Sequence, residues 1–165
     1  MNLNEALIAE LTHEAASTRK LLERVPTEQL SWRPHEKSMT VGRLASHVAH
    51  LPFLTELIVK DNEMDFRNTP YKLQEATDNT SLLASFDANV QKAIAALQSA
   101  DDERLRGIWT LKSGEHVIFQ LPRVAAYRTM VMSHSIHHRG QLSVYLRLLN
   151  IPIPGMYGPS ADEPM

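Results

Sequence analysis

The most constraining segment of this chain is His134-Ser-Ile-His137-His138-Arg139-Gly140-Gln141, which sits inside a long amphipathic run. In a helix, Met130, Val131, His134, His138, Gln141 and Tyr145 fall on one stripe, and Leu142, Leu146 and Leu149 continue it toward the C-terminal end. Two imidazoles are therefore aimed at the face that apolar residues bury. An unpaired buried polar group costs about 1–3 kcal/mol, so the fold must give both rings an ion, waters or hydrogen-bond partners. Residues four apart on a helix have Cβ atoms about 5–6 Å apart, close enough for both rings to reach one ion.

A third ligand would come from another helix. His47, in Leu44-Ala-Ser-His47-Val-Ala-His50, lies beside the apolar stripe of Val41, Leu44, Ala45, Val48, Leu51 and Leu54. Three histidines on one ion leave coordination positions free for water or substrate, the layout of catalytic rather than structural sites. Spacing alone leaves two choices open. His50 lies one turn beyond His47, and His137 stands at i+3 from His134. His138 fits the stripe better, which leaves His137 at the rim and solvated. His13, His35 and His116 have no partner spacing and read as surface residues.

The rest of the chain is punctuated as helices. Residues 3–24 carry Leu7, Leu11, Thr18, Leu21, Leu22 and Val25 at helical spacing, and Pro26 ends that helix. Pro34 marks an extended segment, because the residue before a proline is pushed out of the α region. Thr40 caps a second helix running to about Lys60. Residues 61–78, with Pro70, read as a loop joining distant ends. A third helix over about 81–100 shows Leu83, Phe86, Val90, Ala93, Ile94 and Leu97. Asp101-Asp102-Glu103 then begins a short helical turn.

Two β-prone runs flank Ser113-Gly114 within residues 108–119, a hairpin signal. Pro122 opens a fourth helix that reaches about Leu149. The tail holds Pro152, Pro154 and Pro159 with Gly155 and Gly158. It should be irregular yet cheap to order, and Met156 and Tyr157 give it apolar surface to pack as part of the pocket wall. Asp162 and Glu163 read as solvated, and Trp32 and Trp109 as core. The expected fold is all-α: a four-helix bundle with a long crossover connection and a small accessory hairpin, as one domain over residues 1–165.

Composition narrows the chemistry. With 17 Lys and Arg against 19 Asp and Glu, the net charge is −2 and no basic stripe appears, which argues against nucleic acid as a partner. There is no cysteine, so any metal site is built from nitrogen and oxygen, and any thiol must come from a cosubstrate. The N-terminal stretch lacks the features of a signal peptide and no apolar run spans a membrane, so the expected location is cytoplasmic. No Gly-rich phosphate loop or nucleophile elbow is present.

Ser31-Trp-Arg-Pro, Ser38-Met-Thr-Val-Gly-Arg-Leu-Ala-Ser-His47, His134-x-x-His-His138-Arg-Gly-Gln, Pro152 and Tyr157-Gly-Pro-Ser-Ala-Asp together resemble the DinB superfamily. This is the DinB/YfiT-like group of metalloenzymes, not the similarly named DNA polymerase. The resemblance covers almost the whole chain. It implies a four-helix bundle with a long crossover and a divalent metal held by His47, His134 and His138, which selects 47 over 50 and 138 over 137. Relatives include thiol-dependent transferases and isomerases using bacillithiol, mycothiol or glutathione, and many members have no known reaction.

The function expected is a metal-dependent enzyme, carrying Zn²⁺ or Ni²⁺ and acting on a small molecule. It would be a hydrolase or a transferase using a low-molecular-weight thiol, with a homodimer as the expected assembly. The rival is a non-catalytic metal- or small-ligand-binding stress-response protein. No general acid or base is assigned.

Overall fold

The computed structural model describes residues 2–68 and 73–163. In chain order it contains α1 (Leu3–Leu22), α2 (Val41–His50), α3 (Leu54–Lys60), β1 (Glu63–Asp65), α4 (Asn79–Gln98), α5 (Asp102–Arg106), β2 (Ile108–Ser113), β3 (His116–Pro122), α6 (Arg123–Tyr127) and α7 (His134–Leu148). The protein is mostly helical with one small sheet. Pro70, placed by sequence in the long loop, lies outside the described residues.

Helix starts follow from local chemistry. Thr40 Oγ1 accepts from Arg43 N–H at 3.1 Å, the cap expected for α2. Asp78 Oδ1 accepts from Ser81 N–H at 2.7 Å while Ser81 Oγ accepts from Asp78 N–H at 3.3 Å, a reciprocal pair that opens α4. Asp101 caps α5 by accepting from Arg104 N–H at 2.7 Å.

The second helix is not continuous to Lys60, as the sequence suggested. A single 3₁₀ turn, Leu51–Phe53, separates α2 from α3. Pro52 is the cause, since it has no N–H to donate and its ring crowds the preceding turn. The fourth helical stretch does run unbroken from Arg123, but Arg128–Ser133 wind as π-helix before α7 begins at His134.

The expected hairpin is present as β2 and β3, which pair antiparallel with an irregularity between Leu111 and Lys112. Gly114 supplies the turn with φ +61°, a conformation that a side chain would strain. The all-α expectation needs correction here. β1 joins β2 in parallel, with Glu63 opposite Thr110 and Asp65 opposite Lys112, to give a three-stranded sheet in the order β1-β2-β3. Asp65 locks this corner by accepting from Gly114 N–H at 3.0 Å, Arg67 N–H at 2.9 Å and Asn68 Nδ2 at 2.8 Å.

α1 packs on α4, α2 and α3 pack on α4, and α2 packs on α7. Two apolar clusters result. One gathers Leu7, Leu11, Leu51, Leu54, Ile58, Trp109, Tyr127 and Met132 beneath the sheet. The other gathers Leu21, Leu22, Leu44, Val48, Leu82, Phe86, Leu142 and Leu146 at the far end. On α2, His47 lies between Leu44 of one cluster and Leu51 of the other. On α7, His134 and His138 lie between Met132 and Leu142. The histidines thus occupy the level where the two cores meet.

Candidate metal centre

His47, His134 and His138 come together as the sequence suggested. Each is half-buried, and one ring nitrogen from each lies within 4.8 Å of the other two. His47 Nε2 and His134 Nε2 are 3.3 Å apart. The His47 ring centroid is 5.0 Å from that of His134 and 4.6 Å from that of His138. Three imidazoles from two helices therefore converge on one point and can hold a metal ion.

Their protonation suits that role. Burial, and then the neighbouring His138 and His134 rings, push His47 down to about 4. Burial also lowers His134, helped by His138 and opposed by the Met130 carbonyl. His138 is lowered mainly by burial, against a bond to Gln141 that favours its protonated form. Lowered from the ordinary histidine value, all three are mainly neutral at pH 7, the form in which an imidazole ligates a metal. His138 Nδ1 and Gln141 Oε1 are 2.7 Å apart, so the amide accepts the Nδ1 proton and leaves Nε2 as the free donor.

Neither His50 nor His137, the alternatives that spacing left open, belongs to the group of three. His50 turns away, stacking at 5.0 Å on Phe53 beside a separate cleft lined by Ser46, Ala49 and Gln74. His137 is exposed at the rim, with its ring 4.8 Å from that of His138. His13, His35 and His116 are all exposed. Of the tryptophans, Trp109 is buried core, whereas Trp32 is half-buried and packs edge-on against Tyr145 at 5.9 Å.

Beside His47 opens a cleft of about 280 Å³, lined by Met39, Arg43, His47 and Leu73. The C-terminal tail was expected in the pocket wall. It is ordered and docked, but its anchor lies elsewhere. Arg139, buried on α7, pairs with Glu14 Oε2 of α1 at 2.7 Å and donates to Thr18 Oγ1 at 3.0 Å. Tyr157 closes this group by accepting from Arg139 and donating to Glu14 Oε2 at 2.7 Å. Asp162 and Glu163, expected to be solvated, are ion-paired with Arg147 and Arg24.

Sequence reasoning missed three residues here. Gln141 follows His138 by three positions, a detectable helical spacing. Arg139 stands in the core phase of α7, between buried Met132 and Leu142 on the helix face. Arg43 precedes His47 by one turn on α2.

A mostly helical fold carrying three convergent histidines at its centre defines a class of candidate metal-binding proteins. Comparison identifies the family: the model of the DinB family matches residues 1–164, and the chain belongs to it. Among curated proteins of Bacillus subtilis (strain 168), the chain is similar to the uncharacterized protein YrdA. The two are 26% identical over 151 residues, covering 91% of this chain and 85% of that protein. The uncharacterized protein YjoA is 29% identical over 133 residues, covering 79% and 80%. A crystal structure of a DinB-like protein from Bacillus cereus ATCC 10987 matches with TM-score 0.71 and 24% identity, over 93% of this chain and 97% of that one. The crystal structure of YjoA matches with TM-score 0.69 and 24% identity, over 88% and 92%. At that identity the structural likeness speaks for the fold.

Proposed function

We propose that His47, His134 and His138 are the ligands of one divalent ion, Zn²⁺ or Ni²⁺, and that the protein is a metal-dependent enzyme acting on a small molecule. The observation that carries this reading is the convergence of three neutral imidazole nitrogens within 4.8 Å from two helices. When bound, an ion with three uncharged ligands keeps its 2+ charge and lowers the pKa of water or of a thiol beside it. The chain's own part is positional. Gln141 fixes the His138 tautomer, and α2 and α7 hold the rings at the meeting of the two cores.

The chain has no cysteine, so any thiol would come from a cosubstrate; transfer to a low-molecular-weight thiol and hydrolysis are the two chemistries of this reading. In this reading α1, α2 with α3, α4, and α6 through α7 are the four arms of a bundle.

Elemental analysis of purified protein beside a His138→Ala variant tests the centre. The expected result is about one equivalent of metal in the wild type and a large loss in the variant. Equal metal content would refute the triad. A screen of thiols against electrophilic acceptors with the metal-loaded wild type then tests the enzyme reading, and turnover that is abolished by chelation is the expected result.

A further inference from the structure

Arg43 stands one turn before His47 on α2, and the two share the wall of the cleft of about 280 Å³. Residues at this spacing lie on one face of a helix. Met39 and Leu73 complete the described lining, so the space between the guanidinium and the imidazole is walled by apolar side chains. The guanidinium is half-exposed and already holds a carboxylate, with Glu75 Oε1 lying 3.3 Å from Arg43 Nη1. The side chains of that pair are 57% and 46% exposed, and an exposed ion pair is worth about 0–1 kcal/mol. It is readily displaced by a carboxylate that arrives with a second anchor.

We infer that the cleft between the triad and Arg43 is a subsite for a carboxylate-bearing small molecule, which seats its carboxylate on Arg43 and directs its reactive group to His47, His134 and His138. This rests on the metal reading above. It adds the chemical class of the ligand. Arginine binds carboxylates through a planar fork of paired donors, and Glu75 engages it through one contact, Nη1 to Oε1 at 3.3 Å. Met39 and Leu73 fit an aliphatic or aromatic segment joining the two ends of the ligand.

The test uses full-length protein substituted with Co²⁺ and two thiols of similar size. One, 3-mercaptopropionate, carries a carboxylate, and the other, 2-mercaptoethanol, does not. The thiolate-to-cobalt absorption band reports the affinity of each. The wild type should bind 3-mercaptopropionate about tenfold more tightly. Arg43→Gln should bring the ratio close to one, and Glu75→Gln, which frees the guanidinium, should widen it. Equal affinities in the wild type, or a preference that survives Arg43→Gln, overturn the subsite. Cobalt bands before thiol addition establish the metal centre separately. Their absence refutes the centre and the subsite together, whereas bands with equal affinities refute the subsite alone.

Discussion

Gln141 is exposed and uncharged, yet its Oε1 lies 2.7 Å from His138 Nδ1 and so favours the tautomer that leaves Nε2 for an ion. Outer partners of this kind typically change metal affinity by about 10–100-fold when removed. Gln141→Ala should therefore weaken metal binding by roughly that factor while leaving the helix intact, since alanine is the better helix former. Competition with a chromophoric chelator measures it, and an unaltered affinity would show the bond to be incidental. The His134/His138 pair was legible as one helix face, because i and i+4 share a face whatever the tertiary structure. The choice of His47 over His50 and of His138 over His137 rested on the family resemblance. Gln141 was not legible as an orienting group. Spacing places it near His138, but a side-chain rotamer decides whether its oxygen meets the ring.

Among the elements, α1, α7 and the tail are joined at Arg139, whose side chain is 2% exposed against 15% for its partner Glu14. Removing one member of a buried pair leaves the other charge uncompensated, at a cost of about 3–5 kcal/mol. Arg139→Met should lower unfolding stability by about that amount, and Tyr157→Phe by about 1 kcal/mol, both read from urea denaturation. An Arg139→Met protein as stable as the wild type would mean that the three segments are held by apolar packing alone. Helix existence was readable from the periodicity of α1, α4 and α7, and the hairpin from Ser113-Gly114. β1 was not. Glu63-Met64-Asp65 is only three residues long, too short for a period of two to stand out, and its pairing with β2 is parallel and distant in sequence. The break at Leu51–Phe53 had a visible cause in Pro52, but the apolar stripe runs through it and masked the change of helix type.

For the molecule as a whole, an ion at the triad would tie α2 to α7 where the two apolar clusters meet. A ligand bound only by the folded state stabilises it by about 2.7 kcal/mol at a hundredfold excess over Kd, roughly 5–10 °C in melting temperature for a chain of this size. Calorimetry of chelated protein with and without Zn²⁺ should show that rise near neutral pH. Without metal, the low pKa of His47 sets the sign of the pH dependence. The unfolded chain takes up a proton near 6.5 and the folded one only near about 4, so stability falls as pH drops through that window and is insensitive to His47 above it. A melting temperature indifferent both to Zn²⁺ at pH 7 and to acidification of the chelated protein would contradict a buried neutral triad.

The π-wound segment Arg128–Ser133 also bears on how this chain compares with others. Before it, Arg123, Ala126 and Tyr127 face the core; Val131 and Met132 within its last turn, and Arg139, Leu142 and Leu146 beyond it, do so too. On a regular helix those two sets would point in directions about 100° apart, the turn contributed by a single residue. The wider winding absorbs that residue and keeps both sets inward. A relative one residue shorter within this stretch would therefore be a regular helix presenting the same inner face and the same two imidazoles. Alignments of this region should carry their gap here, upstream of His134, where a change in length leaves the register of the metal-directed side chains intact.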